Sequence, residues 1–262
     1  MENPQIQGKI GLALSGGAAL GLAHVGVIKY LEEIKLRPTI ITGVSVGAIV
    51  GALYAAGNSS SDITSFFKKI KRSTFLRWQA KKSGLFDLKS LKISFMKYLQ
   101  SQNFDELKIP LYVGVTNLNS GQPEVVDQGD LFQWVVASSA FPMIFQYQKI
   151  NGQLYADGGI SKNLIVTPLL GKTDFIIASN LRPLEYLENE SFKGLSSISQ
   201  RVISINIHKK VDDEIKLADL YIEMTGINKF SLFKWNKQEE LIQFGYEKTK
   251  EAFEAILVQN PS

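Results

Sequence analysis

The sequence predicts an α/β protein, a three-layer α/β/α sandwich around a mainly parallel central sheet. Three observations lead there. The chain opens with two strand–helix units in succession, Lys9–Leu14 into Leu22–Ile34 and then Pro38–Thr42 into Ala48–Ala56. Such units pack as parallel strands with helices on both faces. Residues are 45% hydrophobic and 21% charged over 262 positions, enough to bury one full core. No internal repeat and no linker splits the chain, so residues 1–262 are expected to form a single domain. Its core spans about residues 8–180, and C-terminal strands and a helix over 200–258 pack on it.

In order, Lys9–Leu14 is a buried strand and Ser15–Gly21 a loop of small residues. Leu22–Ile34 follows as a helix with Val25, Ile28, Leu31 and Ile34 on one stripe. The loop fails two phosphate-binding patterns. Ala18 stands where a dinucleotide fingerprint needs its middle Gly, and Leu22 where a P-loop needs Lys. What remains is either a plain glycine turn or a row of backbone N–H groups at a helix start, able to cradle an oxyanion.

The next unit contains Gly43-Val44-Ser45-Val46-Gly47 between a β-branched strand and a small-residue helix that ends at Gly57. Strand, tight turn and helix form the setting of a nucleophile elbow. There the glycines relieve crowding, and the helix N-terminus favours negative charge forming near Ser45. The bland alternative is a tight turn that happens to contain Ser.

Ser60-Ser61-Asp62 is expected to cap a helix reaching about Arg72. From Phe66 to Lys82 the chain is basic and aromatic, with Lys68, Lys69, Lys71 and Arg72 near its start and no acidic residue between Asp62 and Asp87. Two readings compete: a solvated helix face whose aromatics turn to the core, or a peripheral contact with an anionic membrane. No nucleic-acid motif accompanies the cations, so no nucleic-acid partner is expected. Ser73–Asp87 is the candidate lid.

Leu91–Leu99 follows as a helix, Leu111–Thr116 as a strand, and Pro123–Val126 as its return strand after the turn Asn119–Gly121. Asp130 caps a helix through Ser139, stopped by Pro142. A hairpin over Gln148–Ala156, turning at Asn151-Gly152, delivers Asp157-Gly158-Gly159 at a strand end. Strands at Asp174–Ser179 and Val202–Ile207 are joined by a polar loop through Glu185–Ser191, and a last helix runs from about Lys237 to Val258.

The absence of Cys excludes disulfides, thiolate chemistry and Cys-based zinc sites. The N-terminus lacks an apolar signal core, and no apolar run is long enough to span a bilayer. A soluble, cytoplasmic protein is expected, able to sit peripherally at a membrane. The net charge of +4 suits anionic surfaces if it is clustered.

A serine hydroxyl needs a base. The order Ser45, Asp157, His208 matches that of α/β-hydrolases, with His208 at an expected strand end. Glycines frame Asp157, however, and let its backbone approach another loop closely, whereas Lys209 and Lys210 beside His208 suggest a solvated edge. A Ser–Asp dyad works if the carboxylate is desolvated and its pKa raised. His24 reads as a core histidine.

The chain resembles the patatin-like phospholipases, specifically their compact bacterial group. The resemblance rests on residues 14–27, Gly43–Gly47, Ala137–Pro142, Asp157-Gly158-Gly159 with Asn163, Ala218-Asp219, and the Glu239–Tyr246 stretch of the last helix. Those blocks run nearly end to end. The resemblance implies a patatin-like fold and a Ser45–Asp157 dyad of nucleophile and general base, with no catalytic histidine. It also implies an oxyanion hole from Gly16, Gly17 and Ala18, assisted by Val46, with Gly43, Gly47, Gly158 and Gly159 as motif glycines. Two positions depart from the family pattern. Ala18 replaces a third Gly, and Leu20 replaces an Arg, which would remove a positive charge beside the acyl site.

The expected function is therefore serine-based hydrolysis of a phospholipid, lysophospholipid or other acyl ester through an acyl-enzyme, without metal or cofactor. The rivals are a transacylase on the same dyad, and a lipid- or membrane-binding member of the fold with weak or no activity.

Overall fold

The computed structural model describes residues 6–78, 88–141, 146–230 and 237–259. Eight strands form one mixed sheet: β1 (Ile10–Leu14), β2 (Ile40–Val44), β3 (Leu111–Asn117), β4 (Pro123–Val126), β5 (Gln148–Ile150), β6 (Gln153–Asp157), β7 (Phe175–Asn180) and β8 (Leu220–Glu223). The order is β5-β6-β3-β2-β1-β7-β8, with β4 paired to β3. Strands β3, β2, β1, β7 and β8 run parallel, and β4, β5 and β6 join antiparallel at the β3 end. The sheet thus has the predicted parallel body, and the hairpin forms its antiparallel edge.

Alternation along the central strands sends side chains to two cores. Leu12, Leu14 and Ile177 enter the larger one, while Ala13, Ile176 and Ala178 face a smaller one closed by Leu164, Val166, Leu169 and Val211. The larger face is covered by helices that include α1 (Leu22–Glu33), α2 (Val46–Ala55), α3 (Ser60–Trp78), α4 (Leu88–Leu99), α5 (Leu131–Ser138) and, beyond α6 (Leu195–Lys209) and α7 (Asp212–Ile215), the C-terminal α8 (Gln238–Gln259). A Cβ on Gly26 of α1 would overlap the Ile242 carbonyl, and one on Gly245 of α8 would overlap that of Ala23. The two glycines let these helices meet backbone to backbone.

Helix α3 starts one residue earlier than the sequence suggests: Ser59, not Ser60, is the cap. Asp62 Oδ2 accepts from the Ser59 N–H and hydroxyl, and the Asp62 N–H returns a bond to Ser59 Oγ. Ser60 instead donates through its N–H and hydroxyl to Glu32 on α1. The helix also runs on to Trp78, past the expected end near Arg72. Phe66 and Phe67 turn inward, and Phe66 packs edge-on against Phe67 and Tyr98. Lys68 pairs with Glu239, and the Lys69 ammonium donates to the Tyr98 hydroxyl. The side chains of Lys71 and Arg72, and residues 79–87 of the candidate lid, lie outside the described residues, as does Pro142.

One expected strand is a helix. Val202–Ile207 alternates apolar and polar residues as a strand would, yet it lies within α6. The sheet position beyond β7 is filled by β8 instead, a run too short to stand out in the sequence. Asp219 Oδ2 accepts the Ile176 N–H and pins the start of β8 against β7. With that edge paired, the backbone groups of Val202–Ile207 are satisfied within a helix. His208 accordingly sits in the last turn of α6 and not at a strand end.

Candidate active site

Ser45 is the single residue between β2 and α2. Its backbone, at φ 54 and ψ −123, lies outside the regions an L-residue prefers. The turn is this tight because α2 begins directly against the end of β1. A Cβ on Gly47 would overlap the Leu14 carbonyl, and one on Gly43 would press on the Gly47 carbonyl and the Ala48 N–H. The strained residue is braced from α5. The Ser45 N–H donates to Ser138 Oγ at 2.8 Å, and the Ser138 hydroxyl donates on to the Gly114 carbonyl of β3 at 2.7 Å.

Asp157 ends β6, opposite Val115 of β3. Its N–H donates to the Ala140 carbonyl and its carbonyl accepts from the Thr116 hydroxyl, so both sides of its backbone are fixed. The carboxylate is buried, at 4% exposure. Its Oδ1 accepts the Gly159 N–H at 2.7 Å, and its Oδ2 accepts the Ser45 hydroxyl at 2.7 Å. Burial pushes the Asp157 carboxyl up to about 6, against the lowering pull of these two hydrogen bonds. Gly158 begins a short turn that keeps the Gly159 N–H aimed back at the carboxylate.

The glycine turn lies across the elbow. A Cβ on Gly16 would come 3.1 Å from that of Ser45, and one on Gly21 would overlap the Val46 side chain. Gly16 is tied to Asn163 twice: its N–H donates to the Asn163 carbonyl at 3.1 Å, and its carbonyl accepts from Asn163 Nδ2 at 3.2 Å. The Gly16 N–H is therefore committed to the protein, which corrects the expectation that it serves as an oxyanion donor. The N–H groups of Gly17, Ala18 and Val46 donate to no acceptor among the described residues. Ala18 takes φ 49, the left-handed conformation that a third glycine would adopt without strain. Leu20 is buried in the larger core, so its side chain is a packing element.

No histidine meets either group. His24 is fully buried, with its ring bonded to Ser179 Oγ at 3.1 Å and to the Ser15 carbonyl at 2.9 Å. Burial holds its pKa down to about 4, against the raising effect of the Ser15 carbonyl, so it is neutral near pH 7. His208 Nε2 pairs with Asp212 Oδ1 at 3.1 Å on the α6–α7 corner. The serine and the carboxylate meet directly. Ser138 and Asn163 stand within the sequence blocks of the resemblance, but their bracing roles had no separate signal there.

A mixed α/β sheet with a serine at a strained strand-to-helix turn, hydrogen-bonded to a buried carboxylate, defines an α/β protein of the nucleophile-elbow kind. The chain belongs to the patatin-like phospholipase family, whose model matches residues 12–170. It is 30% identical over 181 residues to an uncharacterized NTE family protein of Mycobacterium bovis, covering 68% of this chain and 50% of that one. It is 28% identical over 207 residues to a lysophospholipase of Aspergillus fumigatus, covering 73% of this chain and 13% of that one. This chain thus spans half or less of these relatives. Among solved structures, VipD from Legionella pneumophila superposes with TM-score 0.56 at 16% identity, covering 95% of this chain and 67% of that one. The ExoU–SpcU complex from Pseudomonas aeruginosa gives 0.52 at 17% identity, covering 97% and 52%. These two likenesses concern the fold. Among the described residues no helix is long and apolar enough to cross a membrane.

Proposed function

We propose that the protein is a serine lipid acyl hydrolase of the phospholipase A or lysophospholipase type, with Ser45 as nucleophile and Asp157 as general base. One observation carries this reading: the 2.7 Å hydrogen bond from the Ser45 hydroxyl to a buried carboxylate whose pKa is raised to about 6. A base that titrates near neutral pH is still ionised at pH 7 and can accept the serine proton. Family membership and the lysophospholipase relative support a lipid ester as substrate.

Ser45 Oγ attacks the ester carbonyl carbon while its proton passes to Asp157 Oδ2. The carbonyl oxygen becomes an oxyanion held by the N–H groups of Gly17, Ala18 and Val46, the last at the positive end of α2. The tetrahedral species collapses, and the leaving alcohol takes the proton from Asp157. Water then gives a proton to Asp157, attacks the acyl-enzyme and releases the fatty acid, and Ser45 regains its proton. Ser138 and Asn163 hold the elbow and the glycine turn in place, so the donors face the reacting carbon before substrate arrives.

A panel of phospholipids, lysophospholipids and short acyl esters, assayed with purified wild type and Ser45→Ala, tests the proposal. Release of free fatty acid by the wild type, absent in Ser45→Ala, is the expected result. No release from any lipid or ester would overturn it.

A further inference from the structure

We propose that α6 is the element by which this protein docks on a lipid surface and brings its site to membrane-held substrate. The inference deepens the lipid-hydrolase reading and rests on it.

The observation is a helix with large aliphatic side chains along an exposed stripe. With about 3.6 residues per turn, Leu195, Ile198, Ser199, Val202, Asn206 and Lys209 fall on one stripe, and all six are exposed. Leu195 is 80% exposed, Ile198 46% and Val202 51%. The opposite side carries Ser204, whose hydroxyl accepts from Arg182 Nη2 at 3.0 Å. Ile205 and Ile207 are partly buried, so the exposed stripe is apolar beyond what packing of the helix requires. The segment leading into α6 adds exposed Phe192.

The charge pattern selects the occupant. From Phe192 through Val211 the chain has no Asp or Glu but carries Lys193, Arg201, Lys209 and Lys210. The acidic residues lie outside this span: Glu188 and Glu190 upstream, and Asp212, held by His208, downstream. Exposed aliphatic and aromatic side chains beside cations suit a helix lying in the headgroup layer of an anionic bilayer. The basic stretch of α3 fits less well. Its described aromatics, Phe66 and Phe67, are buried, and Lys68 and Lys69 are engaged by Glu239 and Tyr98.

The position of α6 ties this surface to the site. Arg182, which holds Ser204, follows Leu181, and the Leu181 side chain packs against Gly17 of the glycine turn. At the other end, the Lys210 ammonium donates to the Ile160 carbonyl, three residues after Asp157. Both tethers join segments that flank the Ser45–Asp157 pair. A bilayer on the outer stripe of α6 would therefore lie beside the site.

The test compares wild type with the triple variant Leu195→Ser, Ile198→Ser, Val202→Ser. Binding to vesicles of phosphatidylcholine mixed with phosphatidylglycerol is read by co-sedimentation, in a Ser45→Ala background so that the lipid stays intact. Hydrolysis of a monomeric short-chain ester is read in the Ser45 background. The expected result is a loss of vesicle affinity on the order of 100-fold, with the short-ester rate unchanged. Undiminished vesicle binding by the triple variant would overturn the proposal. So would a change from dimer to monomer in light scattering with vesicle binding intact, which would assign the stripe to a second copy of the chain. Failure of the wild type to cleave any ester would instead strike the hydrolase reading, and vesicle binding would still decide the role of α6.

Discussion

Replacing Asp157 by Asn should make the protein more stable and inactive at once. The carboxylate is buried, and its pKa stands at about 6 against an ordinary 3.8. Roughly two units correspond to roughly 3 kcal/mol between the protonated and charged forms. The sign follows from proton binding. The native carboxyl holds its proton more tightly than the unfolded one, so its contribution to stability is greatest below the unfolded pKa. That contribution falls as pH rises from about 4 to about 6 and stays lost above. An Asn side chain escapes this penalty and can keep both contacts, with Oδ1 accepting the Gly159 N–H and Nδ2 donating to Ser45 Oγ. At pH 8, Asp157→Asn should gain up to roughly 3 kcal/mol in urea unfolding. The gain should shrink between pH 6 and pH 4 and vanish below. Ester hydrolysis should fall by at least about 100-fold, because Asn cannot accept the serine proton. A folded Asp157→Asn protein no more stable than wild type at pH 8 would refute the burial argument, and retained hydrolysis would refute the base.

Three further outcomes follow from the same geometry. The kcat/KM of ester hydrolysis should fall below about pH 6 as Asp157 takes up its proton, and a profile flat to pH 4 would contradict this. Ser138→Ala removes the acceptor of the Ser45 N–H and should lower kcat by about tenfold at similar KM, with a stability loss of about 1–3 kcal/mol, measured by initial rates and urea unfolding. His208→Ala should hydrolyse esters at the wild-type rate, since His208 pairs with Asp212 and not with the site. A loss as complete as that of Asp157→Asn in a folded His208→Ala protein would restore the Ser-His-Asp alternative.

Four strands of the parallel body, β1, β2, β3 and β7, were legible in the sequence because they are largely buried and each carries its own signal. β1 is a continuous apolar run that hands over to a loop of small residues, and β2 a β-branched run that hands over to a small-residue helix. The hairpin was legible from Asn151-Gly152, whose positive φ values of 50 and 83 are those a tight reversal demands. Helix α6 was not legible, because Val202–Ile207 carries the period of a strand. Strand β8 is only four residues long, and what secures it is the side chain of Asp219, which no periodicity reports. At the site, the Gly-x-Ser-x-Gly run and the glycine-framed Asp157 pointed to the pair. Their direct hydrogen bond depends on β3 and β6 lying antiparallel, a long-range fact. The commitment of the Gly16 N–H to Asn163 was hidden for the same reason, since the two residues are 147 positions apart. Leu20 looked like a lost charge beside the serine, and its burial makes it part of the core.

The most direct test of Ser45 as a nucleophile activated by Asp157 is covalent labelling with a fluorophosphonate probe, with the adduct located by peptide mass spectrometry. One adduct on Ser45 is expected in the wild type, none in Ser45→Ala, and labelling slowed by at least about 100-fold in Asp157→Asn. An unlabelled wild type, or an adduct on any other residue, would contradict it.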